Sequence, residues 1–339
     1  MVTIARRLVN AIISDFPDHE AGTRPVHTVG IGVAGHFQAS ECARNYSTAE
    51  HFQGRRFRTT VRFSNGAGSP VEHDSWSDVR GMACRFHLAN DAATDLIAMT
   101  LREFFVPTVA DFLAFCEAAR QTPVKRQSPW SKISDMLMLI PPLPDPASGQ
   151  TRSGAAGSLA YANHHGPARS AVFDAGQIGA PVSYARAAYH AVHTFVVTAP
   201  DRTRRQVRFL WQPVAGVALR DPAKPPLSAY LHSELRTRLR TRPVEFQLMM
   251  SIGETGDAFD DPTIPWPARR ARVTMGTLTL TKVAADQRAD CEKISFNPCR
   301  LVPGVALSDD PILAARRDAY EVSREMRGGT QCPLAAGPR

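Results

Sequence analysis

The residues with the most chemistry to offer lie towards the C-terminal end, in Asp310-Pro311-Ile312-Leu313-Ala314-Ala315-Arg316-Arg317-Asp318-Ala319-Tyr320, running on to Arg327-Gly328-Gly329. Asp310 suits a helix cap, Pro311 the first helical position and Gly328 a stop. Arg316 and Tyr320, four apart, share a helix face, and Arg327 returns to that side about two turns further on. A guanidinium held against a Tyr oxygen favours the phenolate form. A phenolate is a hard anionic ligand, and Tyr is one of the side chains that hold haem iron. The competing reading is a solvated surface helix, because Arg and Tyr often fall four apart in a chain with 40 Lys and Arg residues.

Further blocks stand at the other end of the chain. Residues 24–37 read Arg-Pro-Val-His-Thr-Val-Gly-Ile-Gly-Val-Ala-Gly-His-Phe, and 61–68 read Val-Arg-Phe-Ser-Asn-Gly-Ala-Gly. Then come Ser77-Asp78-Val79-Arg80-Gly81-Met82-Ala83-Cys84-Arg85-Phe86, Asp95-Leu96-Ile97, Phe104-Phe105 and Phe112. His193-Thr194-Phe195 and Phe296-Asn297-Pro298-Cys299-Arg300-Leu301-Val302-Pro303-Gly304 follow much later. In this order and spacing the chain resembles the haem catalase superfamily over roughly residues 15–330. It looks too short for a full catalase and stops just after the Tyr320 helix, so it resembles the small catalase-related peroxidases.

The resemblance implies a role for each matching position. His27, in a Gly-rich segment where backbone can approach a flat cofactor, becomes the distal residue above the iron. There it takes a proton from one peroxide oxygen and returns it to the departing oxygen. Thr28 is either a tuning neighbour or a plain strand residue. Ser64 is to hydrogen-bond the distal His, and Arg62, on the same side of its strand, is to contact a haem propionate. Arg24 and Arg327 match two further propionate positions, Arg316 and Tyr320 the proximal pair with Tyr320 as metal ligand, and Phe112 an aromatic over the haem face. The cofactor implied is haem b, iron protoporphyrin IX. The Asp78-Val79-Arg80-Gly81 turn reads as structural. One departure concerns the distal Asn of catalases. Ungapped, Met99 stands there; a one-residue gap puts Thr100 there instead. Met has only a weak acceptor and cannot donate, which predicts peroxide cleavage by His27 with little dismutation.

The expected fold is α+β: a catalase-like antiparallel barrel of about eight strands with surrounding helices, and haem between the barrel and the C-terminal helix. Strands are expected at 58–64, 81–88, 95–100, 193–199, 206–213, 245–252 and 275–282, and helices at 108–120 and near 227–241. Residues 142–170, rich in Pro, Gly, Ser and Ala, read as a long irregular loop. The whole chain, 1–339, reads as one domain, with an arm or helix at 1–20 and the haem-ligand helix at 305–330.

Composition narrows the function. Apolar content of 43% suits a large core. Six cysteines show no CxxC pair or metal spacing and read as reduced thiols of a cytoplasmic protein. The apolar run after Arg6-Arg7 is too short for a signal or membrane segment. The formal charge is +8, but the densest run, Arg236 to Arg242, follows Leu231, Leu235 and Leu239 at helical spacing and reads as a solvated face without nucleic-acid motifs. The expected partners are therefore peroxide and a small organic electron donor, in a monomer or homodimer. The competing functions are a fatty-acid hydroperoxide-rearranging haem enzyme, a non-catalytic haem carrier or sensor, and a minimal true catalase.

Overall fold

Alternation along Arg56–Asn65 shows how the central element is built: Phe57, Thr59, Val61 and Phe63 are buried on one face, while Arg56 and Arg58 lie exposed on the other. In this computed structural model the described residues are 3–16, 18–70, 74–121, 128–138, 143–145, 150–152, 157–221, 223–224 and 227–328. Their strands are β1 (Gly30–Ala39), β2 (Arg56–Asn65), β3 (Arg80–His87), β4 (Ala93–Met99), β5 (Leu143–Asp145), β6 (Gln150–Arg152), β7 (Tyr189–Thr198), β8 (Arg204–Pro213), β9 (Val244–Ile252), β10 (Arg272–Val283) and β11 (Val305–Leu307). The antiparallel order is β7-β4-β3-β2-β1-β10-β9-β8, and β8 pairs back onto β7. Eight described strands thus close into a barrel, leaving no edge within the ring. β11 adds to β7, and β5 with β6 forms a separate hairpin.

The interior is aromatic: Phe37, Phe63, Phe86, Phe246, Tyr184, Tyr189 and Trp211 are all buried. Phe37 meets Phe86 edge-on at 5.2 Å and Phe63 stacks on Tyr184 at 5.5 Å, the geometries favoured by ring quadrupoles. Directly opposed residues share a face, so the register sorts the wall into two sides. Ile31, Phe63, Met82 and Ala98 form a row towards the interior. The next row, Gly30, Ser64, Gly81, Met99 and His190, points outward.

The described helices are α1 (Ile4–Ser14), α2 (Val109–Gln121), α3 (Pro129–Leu137), α4 (Gly157–His164), α5 (Gly166–Gln177), α6 (Leu231–Thr241) and α7 (Pro311–Met326). Against the outer wall Leu8 and Ala11 of α1, Phe112 and Cys116 of α2, and Ile312 of α7 pack with Phe104, Val106 and Val192 into a second core. None of the described helices is long and apolar enough to cross a membrane.

The expected barrel and each expected strand and helix are present, with ends moved by a few residues. Three features differ. β1 emerges from the Gly-rich segment, because barrel pairing on both sides outweighs the low strand propensity of Gly. Residues 142–170 are no plain loop: the described part carries β5, β6, α4 and the start of α5, with Pro167 in the first turn of α5. Residues 305–307 are strand, and the terminal helix begins only at Pro311. The Arg run behaves as a solvated face: Leu231 and Leu235 are buried, Arg236, Arg240 and Arg242 exposed.

Candidate active site

His27 sits just before β1 with a left-handed backbone, φ 57°, a costly conformation for a residue with a Cβ. It is held from several directions. Its N–H donates to the Gly66 carbonyl at 3.1 Å. Arg62, one strand over, donates to the His27 and Thr28 carbonyls at 2.8 and 3.1 Å. The ring Nδ1 lies 2.8 Å from the Asn65 carbonyl and 3.1 Å from Ser64 Oγ. A carbonyl only accepts, so Nδ1 carries the proton and Nε2 presents its lone pair. Nε2 makes no hydrogen bond among the described residues. Burial pushes the imidazole down to about 4, with Asp78 opposing and Arg62 assisting. The ring is therefore neutral across the ordinary pH range.

The outward row explains how the ring is seated. A Cβ on Gly81 would lie 2.8 Å from Ser64 Oγ and 2.9 Å from His27 Cε1 and Nδ1; only glycine lets the imidazole lie against β3. Behind it, Asn65 is fixed by Asp74 and Tyr184 at 2.8 Å each. Arg80, 1% exposed, donates to Asp78 at 2.7 Å and to the Asp74 and Trp76 carbonyls at 2.6 and 2.9 Å. The Asp78–Arg80 turn thus frames the site.

On the other side, Asp310 caps α7, accepting from the Ile312 and Leu313 amides at 2.9 and 3.2 Å through Oδ1. Its Oδ2 takes His193 Nδ1 at 2.6 Å, His193 Nε2 meets Arg316 at 2.7 Å, and Arg316 donates to the Tyr320 hydroxyl at 3.1 Å. Arg has no acceptor, so His193 Nε2 accepts and its Nδ1 proton goes to Asp310. Burial lowers the His193 imidazole to about 4, consistent with that neutral tautomer. The Arg316 guanidinium also lies over the Phe104 and Tyr320 rings, at 5.7 and 5.6 Å. The helix positions its Arg–Tyr pair through a buried carboxylate–imidazole chain.

Between the two sides stands a cationic cage. Arg62 and Arg24 donate to the Glu292 carboxylate at 2.7 and 3.1 Å, and Arg327 to its backbone carbonyl at 2.8 Å. Burial, with the charges of Arg62 and Arg327, pushes Arg24 down to about 9.

Sequence-selected residues are therefore gathered, though not all in the same manner. Arg24, Arg62 and Arg327 converge; His27 and Ser64 touch; Arg316 and Tyr320 touch. Thr28 spends its hydroxyl on the Arg24 and Gly68 carbonyls, both at 2.9 Å. Phe112 meets Phe104 and Phe105 edge-on at 5.4 and 5.3 Å. Met99 lies opposite Gly81 on the outward row, whereas the Thr100 hydroxyl accepts from the Arg80 amide at 2.9 Å. Sequence reasoning gave no role to His193, Asn65 or Glu292, and only a capping role to Asp310. His193 had the sole signal, a place in a matching block; Asn65 acts through its carbonyl, which any residue type supplies.

A closed antiparallel barrel with a neutral imidazole on its outer wall and an Arg–Tyr pair on the covering helix defines a protein of the catalase type. The sequence profile of the family described as Catalase matches residues 8–142 and 161–333, and the chain belongs to the catalase family. It is 30% identical over 324 residues to a catalase-related peroxidase of Mycolicibacterium paratuberculosis, covering 94% of this chain and 93% of that one. A catalase-related peroxidase of Synechococcus elongatus is 28% identical, with 90% and 84% covered. Catalase-2 of Bacillus subtilis is 27% identical, with 92% and 45% covered. A bacterial catalase structure superposes with TM-score 0.74 at 22% identity, over 91% of this chain and 58% of its own. A fungal catalase gives 0.71 at 19%, over 92% and 60%. The chain thus spans less than two thirds of those two solved catalases, and at such identities the likeness concerns the fold.

Proposed function

We propose that this chain is a single-domain, haem-dependent peroxidase that reduces hydrogen peroxide or small organic hydroperoxides with an organic electron donor and has weak catalase activity. The observation that carries the reading is His27: a neutral, half-buried base with Nδ1 anchored and Nε2 free of hydrogen bonds among the described residues, seated on Gly81. The residues present also fit a haem. Three arginines and one glutamate leave the cage with two positive charges, matching two propionates. Tyr320 offers an oxygen donor oriented by Arg316. Arg24, Arg62 and Arg327 would hold the propionates, and Tyr320 the iron. Haem b, when bound, supplies the redox centre that takes the two oxidising equivalents of the peroxide and passes them to the donor.

The chain's own residues handle the protons. His27 Nε2 takes the proton from the near peroxide oxygen and delivers it to the far one, so that the O–O bond breaks with water or an alcohol leaving. Asn65 and Ser64 keep the ring in the tautomer that this transfer needs. Met99, beside Gly81, offers no donor to orient a second peroxide, which favours a peroxidase over a catalase. Five unpaired cysteines among the described residues suit a reducing cytoplasm; Cys332 lies outside those residues.

The test is the visible spectrum of the haem-reconstituted protein and of Tyr320→Phe, followed by peroxide consumption with and without an aromatic donor. A high-spin ferric spectrum altered by the substitution, with donor-dependent turnover and scant oxygen, is expected. Vigorous oxygen evolution would make the chain a minimal catalase; no haem uptake would overturn the reading.

A further inference from the structure

Glu292 belongs to no part of the proton transfer, yet it is the most heavily engaged acceptor of the cage. Its two carboxylate oxygens take Nε of Arg62 at 2.7 Å and of Arg24 at 3.1 Å. Its backbone carbonyl takes Arg327 at 2.8 Å and Arg24 at 3.3 Å. Burial opposes ionisation of this carboxyl, but Arg62 and Arg24 hold it below the usual carboxylate range. It is charged at neutral pH.

Its position is set independently of the arginines. Glu292 ends the π-helical turn Arg288–Glu292, which is clamped onto β1. Gln287 accepts from the Gly32 amide at 2.6 Å and donates to the Gly32 carbonyl at 3.0 Å. Cys291 Cβ lies only 2.4 Å from where a Gly32 Cβ would stand, so glycine admits the turn. The Glu292 side chain is 34% exposed, against 3% for Arg62 and 10% for Arg24. The carboxylate therefore lies at the open side of the cage, on the guanidinium groups themselves.

The geometry points to Glu292 as a built-in carboxylate that occupies the arginines in the haem-free protein, keeps that form folded, and weakens haem uptake by competing with the propionates. This rests on the haem reading above. Without Glu292 three guanidinium groups would crowd one site uncompensated; with it, the remaining charge matches a dicarboxylate.

The experiment is a Soret titration of the apoprotein with haem and with haem dimethyl ester, beside thermal unfolding of the apoprotein with and without malonate. One unit charge removed within the cage makes haem binding by Glu292→Gln roughly tenfold tighter after solvent screening, while the uncharged ester binds the variant and the wild type alike. The Glu292→Gln apoprotein melts below the wild type, and malonate raises its melting temperature by more than it raises that of the wild type. Equal or weaker haem binding by the variant, or an equal gain for the ester, overturns the proposal. Should Glu292→Gln not fold, Glu292→Asp decides: its shorter carboxylate reaches one guanidinium at a time, so tighter haem binding supports competition and weaker binding overturns it. If the wild type takes up no haem, the function proposed above fails, whereas the malonate rescue still tests Glu292 as the carboxylate of the cage.

Discussion

Asp310→Asn probes the buried chain that holds the Arg–Tyr pair. Asp310 is 1% exposed on its side chain and uses both oxygens as acceptors, Oδ1 for the cap of α7 and Oδ2 for His193. An amide has one acceptor oxygen and an NH2 group that only donates. If the oxygen keeps the cap, the NH2 faces His193 Nδ1–H, donor against donor. Moving the ring proton to Nε2 does not help, because Nε2 faces Arg316 at 2.7 Å. Such an unpaired buried donor costs about 1–3 kcal/mol. If the amide turns over instead, the oxygen serves His193 but the Ile312 and Leu313 amides lose their cap, about 1 kcal/mol. Neither orientation escapes, so the variant loses about 1–3 kcal/mol of stability. Urea unfolding of the apoprotein reads this, with the exposed neighbour Asp309→Asn as control. Asp310→Ser, which keeps a capping oxygen, separates the two contributions. Unfolding of Asp310→Asn at the same urea concentration as wild type would refute the reasoning, because the structure allows the amide no satisfied orientation.

Three further outcomes are expected. Gly81→Ala puts a methyl group 2.9 Å from the His27 ring, so kcat for peroxide cleavage falls by about 10²-fold through misplacement of the base while haem uptake persists; a wild-type kcat would show that the ring is not seated on Gly81. Met99→Asn raises oxygen evolution per haem by roughly tenfold or more by orienting a second peroxide; an already high wild-type rate, or no rise, removes the argument from Met99. Stability falls in acid: burial lowers His27, His190 and His193 to about 4 and His51 to about 3. Between pH 6.5 and these values the unfolded chain binds protons that the folded one refuses, so stability is full above 6.5 and declines as pH falls towards 4. Asp95, raised to about 6 by burial although Arg85 opposes this, works in the other direction with a single proton. Replacing His51, whose Nδ1 has no partner among the described residues, by Phe reduces the slope by about 1.4 kcal/mol per pH unit; an unchanged slope would contradict its burial as a neutral ring.

Much of the site was legible because local spacing governs it. Arg316 and Tyr320 touch since a helix brings residues four apart together, and Arg62 and Ser64 share a face since a strand alternates. Strand parity likewise places Met99, paired with Gly81, on the outward row. The Gly-rich β1 was hidden, because what makes it a strand is hydrogen bonding from β2 and β10 rather than its own propensity.

What the sequence by itself determined was the set of local periods and caps: the outward and inward residues of each strand, the Asp310–Pro311 start of the last helix, and the order of blocks that resembles catalases. Only the tertiary structure decided which distant groups meet. The His193–Asp310 contact spans 117 residues and the Arg62–Glu292 contact 230. Asn65 likewise acts through a backbone carbonyl, which carries no signature of residue type, and Gly81 through a side chain it lacks, whose meaning shows only when His27 is packed against it. Those pairings follow from barrel closure, which converts separations along the chain into hydrogen-bond distances, and no local pattern encodes them.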